Sequence, residues 1–106
     1  MEYKNLAKTE EVLKAPGVSG HLISKRPGCE ILHISIEPGK LIPNHVMDVP
    51  GTFTVVQGKG EVAIDGKDVY KAEAGDIFEI ENGLYREWRN TGNEQMVIIT
   101  VKYMPN

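Results

Sequence analysis

Apolar and polar residues alternate in short runs along most of the chain after residue 19. In one such run, Leu32, Ile34 and Ile36 occupy every second position, and His33 and Ser35 lie between them. A period of two places each set on its own face of a β-strand, although the pattern does not say which face is buried. The runs predict strands over residues 20–25, 29–37, 52–56, 60–65, 67–71, 76–80, 84–90 and 95–103.

Turn-forming residues separate these runs. Asp65-Gly66 lies between two predicted strands and is typical of a two-residue β-hairpin turn. Residues 9–14 form the one segment with helical character, because acidic residues occupy its first turn and Pro16-Gly17 follows its end. The pattern therefore predicts an all-β barrel or sandwich of about eight strands, preceded by a short N-terminal helix.

Length and charge limit the domain organisation and the class of partner. A chain of 106 residues fits one domain over 1–106, since smaller pieces would bury little apolar surface. Residues 1–19 would form an N-terminal extension to it. The formal net charge of −3 offers no electrostatic attraction for nucleic acid or for an acidic membrane. We therefore expect a small-molecule ligand or a protein partner.

Cysteine usage and hydropathy bear on the compartment. Cys29 is the single cysteine, so no intrachain disulfide can form, and this favours a reducing compartment. Met1 to Ala7 contains charged residues and no apolar signal region. No apolar run approaches the length of a membrane-spanning helix. Cytoplasmic localisation is the expectation, with Cys29 an inert thiol.

Two stretches share a regular spacing of glycines and polar residues. The first is Gly39, five residues, His45, one residue, Met47, three residues, Gly51, six residues and Gly58. Glycine suits the tight turns that any small β-barrel needs, so this spacing alone indicates topology rather than function.

The second stretch is also framed by regularly spaced glycines, and it lies after the predicted hairpin. It consists of Gly75, five residues, Glu81, one residue, Gly83, two residues, Arg86, three residues and Asn90. Together the two stretches resemble the paired motifs of the cupin family, G-x5-H-x-H-x3-4-E-x6-G and G-x5-P-x-G-x2-H-x3-N. The resemblance spans about residues 31–101 and implies a double-stranded β-helix, or jelly-roll barrel.

The resemblance also implies four positions at which cupins hold a divalent metal, namely two histidines, a glutamate and a third histidine. These positions are His45, Met47, Gly51 and Arg86 in this chain. Only His45 is a good ligand, because a thioether prefers soft metals, glycine has no side chain and a guanidinium repels cations. No metal cofactor is therefore predicted, and a divalent metal is the less favoured alternative.

Alternation outward from the aligned positions predicts the lining of the barrel lumen. It brings together His45, Met47, Phe53, Arg86 and Trp88. An apolar, aromatic chamber with one titratable group and one cation is typical of a small-ligand site. Arg86 can form paired hydrogen bonds with a carboxylate or a phosphate. We therefore expect the lumen to bind a small anionic or aromatic ligand through these five residues.

Several alternatives stay open, including whether the protein is an enzyme. Metal-free relatives of cupins include isomerases and epimerases, in which His45 would move a proton while Arg86 stabilises an enolate. A metal-dependent oxygenase would require a rebuilt site, for example if His33 faces inward, whereas His21 is expected on the surface. A filled lumen would instead pair Arg86 with Glu79 or Glu81 and leave a structural role.

The N-terminal segment predicts self-association. Residues 6–23 contain apolar positions but lie outside the two motifs, so they need a surface to cover. The cupin resemblance implies pairing through N-terminal strands and sheet faces. A homodimer is therefore expected.

Overall fold

The structure is a computed structural model that describes residues 1–105. It contains a short 3₁₀ helix, Leu6–Lys8, and ten strands: β1 (Glu10–Ala15), β2 (Val18–Arg26), β3 (Cys29–Ile36), β4 (Leu41–Val46), β5 (Gly51–Gln57), β6 (Lys59–Ile64), β7 (Asp68–Glu73), β8 (Ile77–Ile80), β9 (Tyr85–Asn90) and β10 (Met96–Tyr103).

The strands form two antiparallel sheets. One has six strands in the order β1-β2-β3-β10-β5-β8, and the other has four in the order β4-β9-β6-β7. The apolar core takes residues from both sheets, with Ile34 and Val55 from the larger one and Ile42 and Val62 from the smaller one. This architecture confirms the predicted all-β jelly-roll barrel. Within residues 1–105, no helix is long and apolar enough to cross a bilayer.

All eight predicted strands are present, and the predicted hairpin turn has the expected geometry. Asp65 and Gly66 both have positive φ, at 52° and 66°, and Lys67 N donates to Ile64 O at 3.0 Å. Two successive positive φ angles define the type I′ turn, whose twist matches that of the flanking strands. The Asp-Gly pair therefore fixes the register of β6 against β7.

The N-terminal region differs from its prediction in position. A helix over residues 9–14 is wrong, because the short helix lies at Leu6–Lys8 and β1 occupies residues 10–15. A six-residue helix is too short to be stable alone, whereas β1 gains an antiparallel ladder with β2 across the Pro16-Gly17 turn. Strand β4 was not predicted, because its Pro43 and polar Asn44 interrupt any alternation.

The structure also settles which face of β3 is buried. Leu32, Ile34 and Ile36 are 6%, 7% and 0% exposed, so they point into the core. His33 therefore lies on the outer face, opposite His21 of β2 in the ladder. It does not approach the lumen, and the rebuilt metal site that would use His33 has no basis in the structure.

A buried amide holds the end of β9 against the rest of the barrel. Asn90 is 1% exposed, and its Nδ2 donates to Ile36 O and Glu94 O, each at 2.8 Å. Its Oδ1 accepts from Gly92 N at 2.9 Å. Full pairing of a buried amide stabilises one geometry over alternatives. Asn90 thereby fixes the position of β9, the strand that supplies Arg86 and Trp88.

Candidate functional site

A cavity of about 940 Å³ is lined by residues of both sheets. The structure brings all five predicted lumen residues to its wall: His45, Met47, Phe53, Arg86 and Trp88. They come from β4, from the loop after it, from β5 and from β9. Alternation explains the two that share β9, because Arg86 and Trp88 are two residues apart and both point inward. The cavity is therefore the candidate site.

Arg86 is the most unusual residue of the cavity. It is 1% exposed, and its Cζ lies 5.1 Å from the centre of the Phe53 ring. A guanidinium over an aromatic face gains a cation–π attraction, which stabilises the charge in part. Its Nε and Nη1 are nevertheless buried without a hydrogen-bond partner. Two donors of a buried cation are thus left without acceptors.

The structure does not show the internal ion pair that a filled lumen would need. Among residues 1–105 the salt bridges are Lys25–Glu30 and Arg89–Glu87, and neither involves Arg86. Glu79 instead accepts a hydrogen bond from Thr52, and both Glu79 and Glu81 are exposed. Burial without a carboxylate lowers the pKa of Arg86 to about 10. The side chain is therefore still a cation at neutral pH.

His45 faces Arg86 directly across the β4–β9 ladder. Its Nδ1 lies 3.0 Å from Pro43 O, a carbonyl that can only accept, so Nδ1 carries the proton. The free lone pair is then on Nε2, which lies 3.4 Å from Arg86 Nη2 and can accept from it. This tautomer leaves an imidazole nitrogen facing the cavity without a proton.

The charge state of His45 follows from its surroundings. His45 is exposed at the cavity mouth. The protein atoms around its ring nevertheless displace water, and this partial burial lowers its pKa below the usual value. The hydrogen bond to Pro43 raises the pKa, whereas the positive charges of Arg86 and Lys102 lower it. The lowering effects dominate, so His45 is neutral at pH 7.

Aromatic rings and polar atoms without hydrogen-bond partners form the rest of the cavity wall. Trp88 is 1% exposed and packs against Phe53 and Phe78, with ring centres 5.5 and 5.6 Å away. Its Nε1 is buried without a partner, as is Thr100 Oγ1. Thr100 and Lys102 of β10 also line the cavity, and sequence reasoning missed both. Alternation from the apolar residues of β10 would have identified them, since Ile98 faces inward.

The donor set at the four positions of the cupin pattern does not fit a divalent metal. His45 offers one imidazole nitrogen, and the cation of Arg86 lies beside it. At position 51 a side chain would fit only tightly, because its Cβ would lie 3.2 Å from Met47 Cε, Phe53 Cε1 and Val101 O. No group of three or more His, Cys, Asp or Glu side chains converges anywhere within residues 1–105.

Comparisons with known proteins give the same fold. An uncharacterised double-stranded β-helix protein from Klebsiella pneumoniae is 20% identical to this chain. Its TM-score is 0.82, and the match covers 100% of this chain and 92% of that chain. KdgF from a Halomonas species is 16% identical, with a TM-score of 0.81 over 100% and 96%. A predicted oxalate decarboxylase from Thermotoga maritima is 16% identical, with a TM-score of 0.80 over 97% and 99%.

At such identities these likenesses show the fold and not the activity. No curated protein sequence matches the chain. The family model described as "Cupin domain" matches residues 32–102, a stretch that includes both glycine-framed motifs and all five predicted lumen residues. The chain belongs to the cupin family.

Proposed function

We propose that this protein binds a small organic anion, a carboxylate, in its barrel lumen without using a metal. The observation that carries the proposal is the buried Arg86 guanidinium, whose Nε and Nη1 have no acceptor. An unsatisfied buried donor costs about 1–3 kcal/mol, and more when the group is charged. A bound carboxylate would supply the missing acceptors through two parallel N–H···O hydrogen bonds.

The remainder of the cavity suits the carbon skeleton of such a ligand. Phe53 and Trp88 present aromatic surface beside the guanidinium, and Met47 adds a flexible thioether. An apolar chamber with a few polar groups is the common form of a small-molecule site. His45 at the mouth is a neutral imidazole whose Nε2 can take up a proton and then donate it in a hydrogen bond to the bound carboxylate. The ligand is therefore an organic acid with an apolar or aromatic body.

Replacing Arg86 tests this proposal. Arg86→Met keeps the length of the side chain and removes the charge, so we expect carboxylate affinity to fall by about 10- to 100-fold, the value of a charge-assisted hydrogen bond pair. Isothermal titration with benzoate and butyrate measures the change. Arg89→Met is the matched control, because Arg89 is exposed on the same strand and pairs with Glu87. Equal affinities in all three proteins would contradict the proposal.

The lowered pKa of His45 predicts the pH dependence of binding. A bound anion neutralises the charges that lower this pKa, so the pKa is higher in the complex than in the free protein. Binding then takes up a proton, and affinity should rise several-fold as the pH falls from about 8 to about 5. His45→Asn should remove this dependence and His33→Asn should retain it. A carboxylate affinity that falls as the pH is lowered would contradict this prediction.

Metal content is a separate part of the proposal. One imidazole leaves most of the coordination shell to water, and the repulsion from Arg86 is on the order of a few kcal/mol in a partly dry cavity. We expect no tightly held divalent metal. Elemental analysis after dialysis, with wild type beside His45→Ala, measures it. Near-stoichiometric zinc, iron, nickel or manganese that is lost in the variant would restore metal-dependent chemistry as the better hypothesis.

A second candidate function is metal-independent isomerisation. It is favoured by the unprotonated Nε2 of His45 beside Arg86, since that nitrogen can take a proton from carbon next to a carboxylate while the cation stabilises the enolate. Exchange of that hydrogen with solvent deuterium, followed by NMR and lost in His45→Asn, would support an enzyme. Binding of the acid without exchange would support a binding protein.

We also propose that the chain forms a homodimer through its N-terminal region. Leu13 and Leu22 pack on the core, so this region is largely covered by its own sheet. The support is the outer edge of β1, which ends the six-stranded sheet, and the exposed side chains of Leu6 and Val12. An unpaired edge strand is a surface for pairing with a second chain. Light scattering that gives the monomer mass of 11.8 kDa would contradict the dimer.

A further inference from the structure

Lys102 is a second cation of the cavity. It follows Thr100 by two residues on β10, so its side chain leaves the same face of the strand, and it is half-buried in the cavity wall. Arg86 belongs to the four-stranded sheet and Lys102 to the six-stranded sheet. The charges of Arg86 and Lys102 therefore face one cavity from opposite walls. Lys25 also lines the cavity, but its side chain is exposed and pairs with Glu30.

Within residues 1–105, the carboxylates that line the cavity form no salt bridge with Lys102. Glu30 lines the cavity and is the neighbour of Lys102 across the β3–β10 ladder, but its Oε2 pairs with Lys25 Nζ at 3.7 Å. Neither salt bridge found within residues 1–105 includes Lys102. Glu10 and Asp48 also line the cavity, but both are exposed at its rim, where solvent screens their charge.

We infer that the lumen binds a dicarboxylate, with one carboxylate at Arg86 and the other at Lys102. This inference rests on the proposed function, because it takes the Arg86 site as the first anchor. The methylene chain between the two carboxylates would lie against Phe53 and Ile34, which line the space between the sheets. A second ionic contact raises the affinity for the ligand and fixes its orientation, whereas a monoacid would leave Lys102 without a partner.

The effect of both cations on His45 supports this geometry. Arg86 and Lys102 each lower the pKa of His45, so both charges act on the same part of the cavity. His45 Nε2 is 3.4 Å from Arg86 Nη2, which fixes one end of the arrangement. A dicarboxylate would place negative charge at both cations, whereas a monocarboxylate would reach one of them.

The test compares diacids with their own half-esters. Malonate, succinate, glutarate and adipate, each beside its monomethyl ester, are titrated into wild type, Lys102→Met and Lys71→Met, the last an exposed lysine on β7 as control. At the best chain length we expect wild type and the control to prefer the diacid by about tenfold. In Lys102→Met the preference should disappear, while the half-ester affinity stays within about twofold.

The other outcomes distinguish a failure of the dicarboxylate inference from a failure of the proposed function. Equal affinity of wild type for every diacid and its half-ester would overturn the dicarboxylate inference and leave the Arg86 site intact. A preference that survives in Lys102→Met would overturn the role of Lys102. An absence of binding by all eight compounds, or binding that Arg86→Met does not weaken, would instead contradict the proposed function on which the inference rests. Urea unfolding of each variant shows that the fold is kept.

Discussion

The burial of one cation inside an aromatic chamber organises the candidate site. Arg86 lies over Phe53, Phe53 packs on Trp88, and the guanidinium reaches His45. Each contact depends on β9 holding its register with β4 on one side and β6 on the other. Asn90 fixes the end of that strand through three hydrogen bonds. Arg86 and Trp88 are therefore held by the sheet rather than by a loop.

The exchange of metal ligands for a cation changes what the barrel can attract. A conventional cupin pattern would place imidazoles and a carboxylate where this chain has His45, Met47, Gly51 and Arg86. A fixed guanidinium attracts anions, as a metal ion does, but it provides no open coordination position. This physical difference is the basis for proposing an anion-binding site in place of a metal centre.

Much of the fold was predictable because its signals are local. Alternation gave the eight strands, and Asp65-Gly66 gave the hairpin, since both depend on neighbouring residues. The N-terminal strand β1 was not predictable, because its stability comes from pairing with β2 and not from its own helical composition. Strand β4, which carries His45, was not predicted because Pro43 and Asn44 interrupt its alternation.

The candidate site was predictable only in part. The cupin spacing and the period of two identified the inward positions on β9, so Arg86 and Trp88 were placed together from sequence. Whether Arg86 has an acceptor depends on tertiary packing, because Glu79, a partner that the sequence allowed, accepts a hydrogen bond from Thr52 instead. Lys102 was not predicted to line the cavity. Strand β10 is strongly apolar, and alternation was not used to assign its last residues to the inner or the outer face of the barrel.

The central claim is that Arg86 is kept for binding and not for stability. The most direct measurement is the free energy of unfolding of Arg86→Met and wild type by urea, without added ligand. Two of the three guanidinium nitrogens, Nε and Nη1, lack acceptors, so an apolar replacement of similar size should leave stability unchanged or raise it by about 1–3 kcal/mol. A variant less stable than wild type by several kcal/mol would show that Arg86 is a structural residue and would contradict the account.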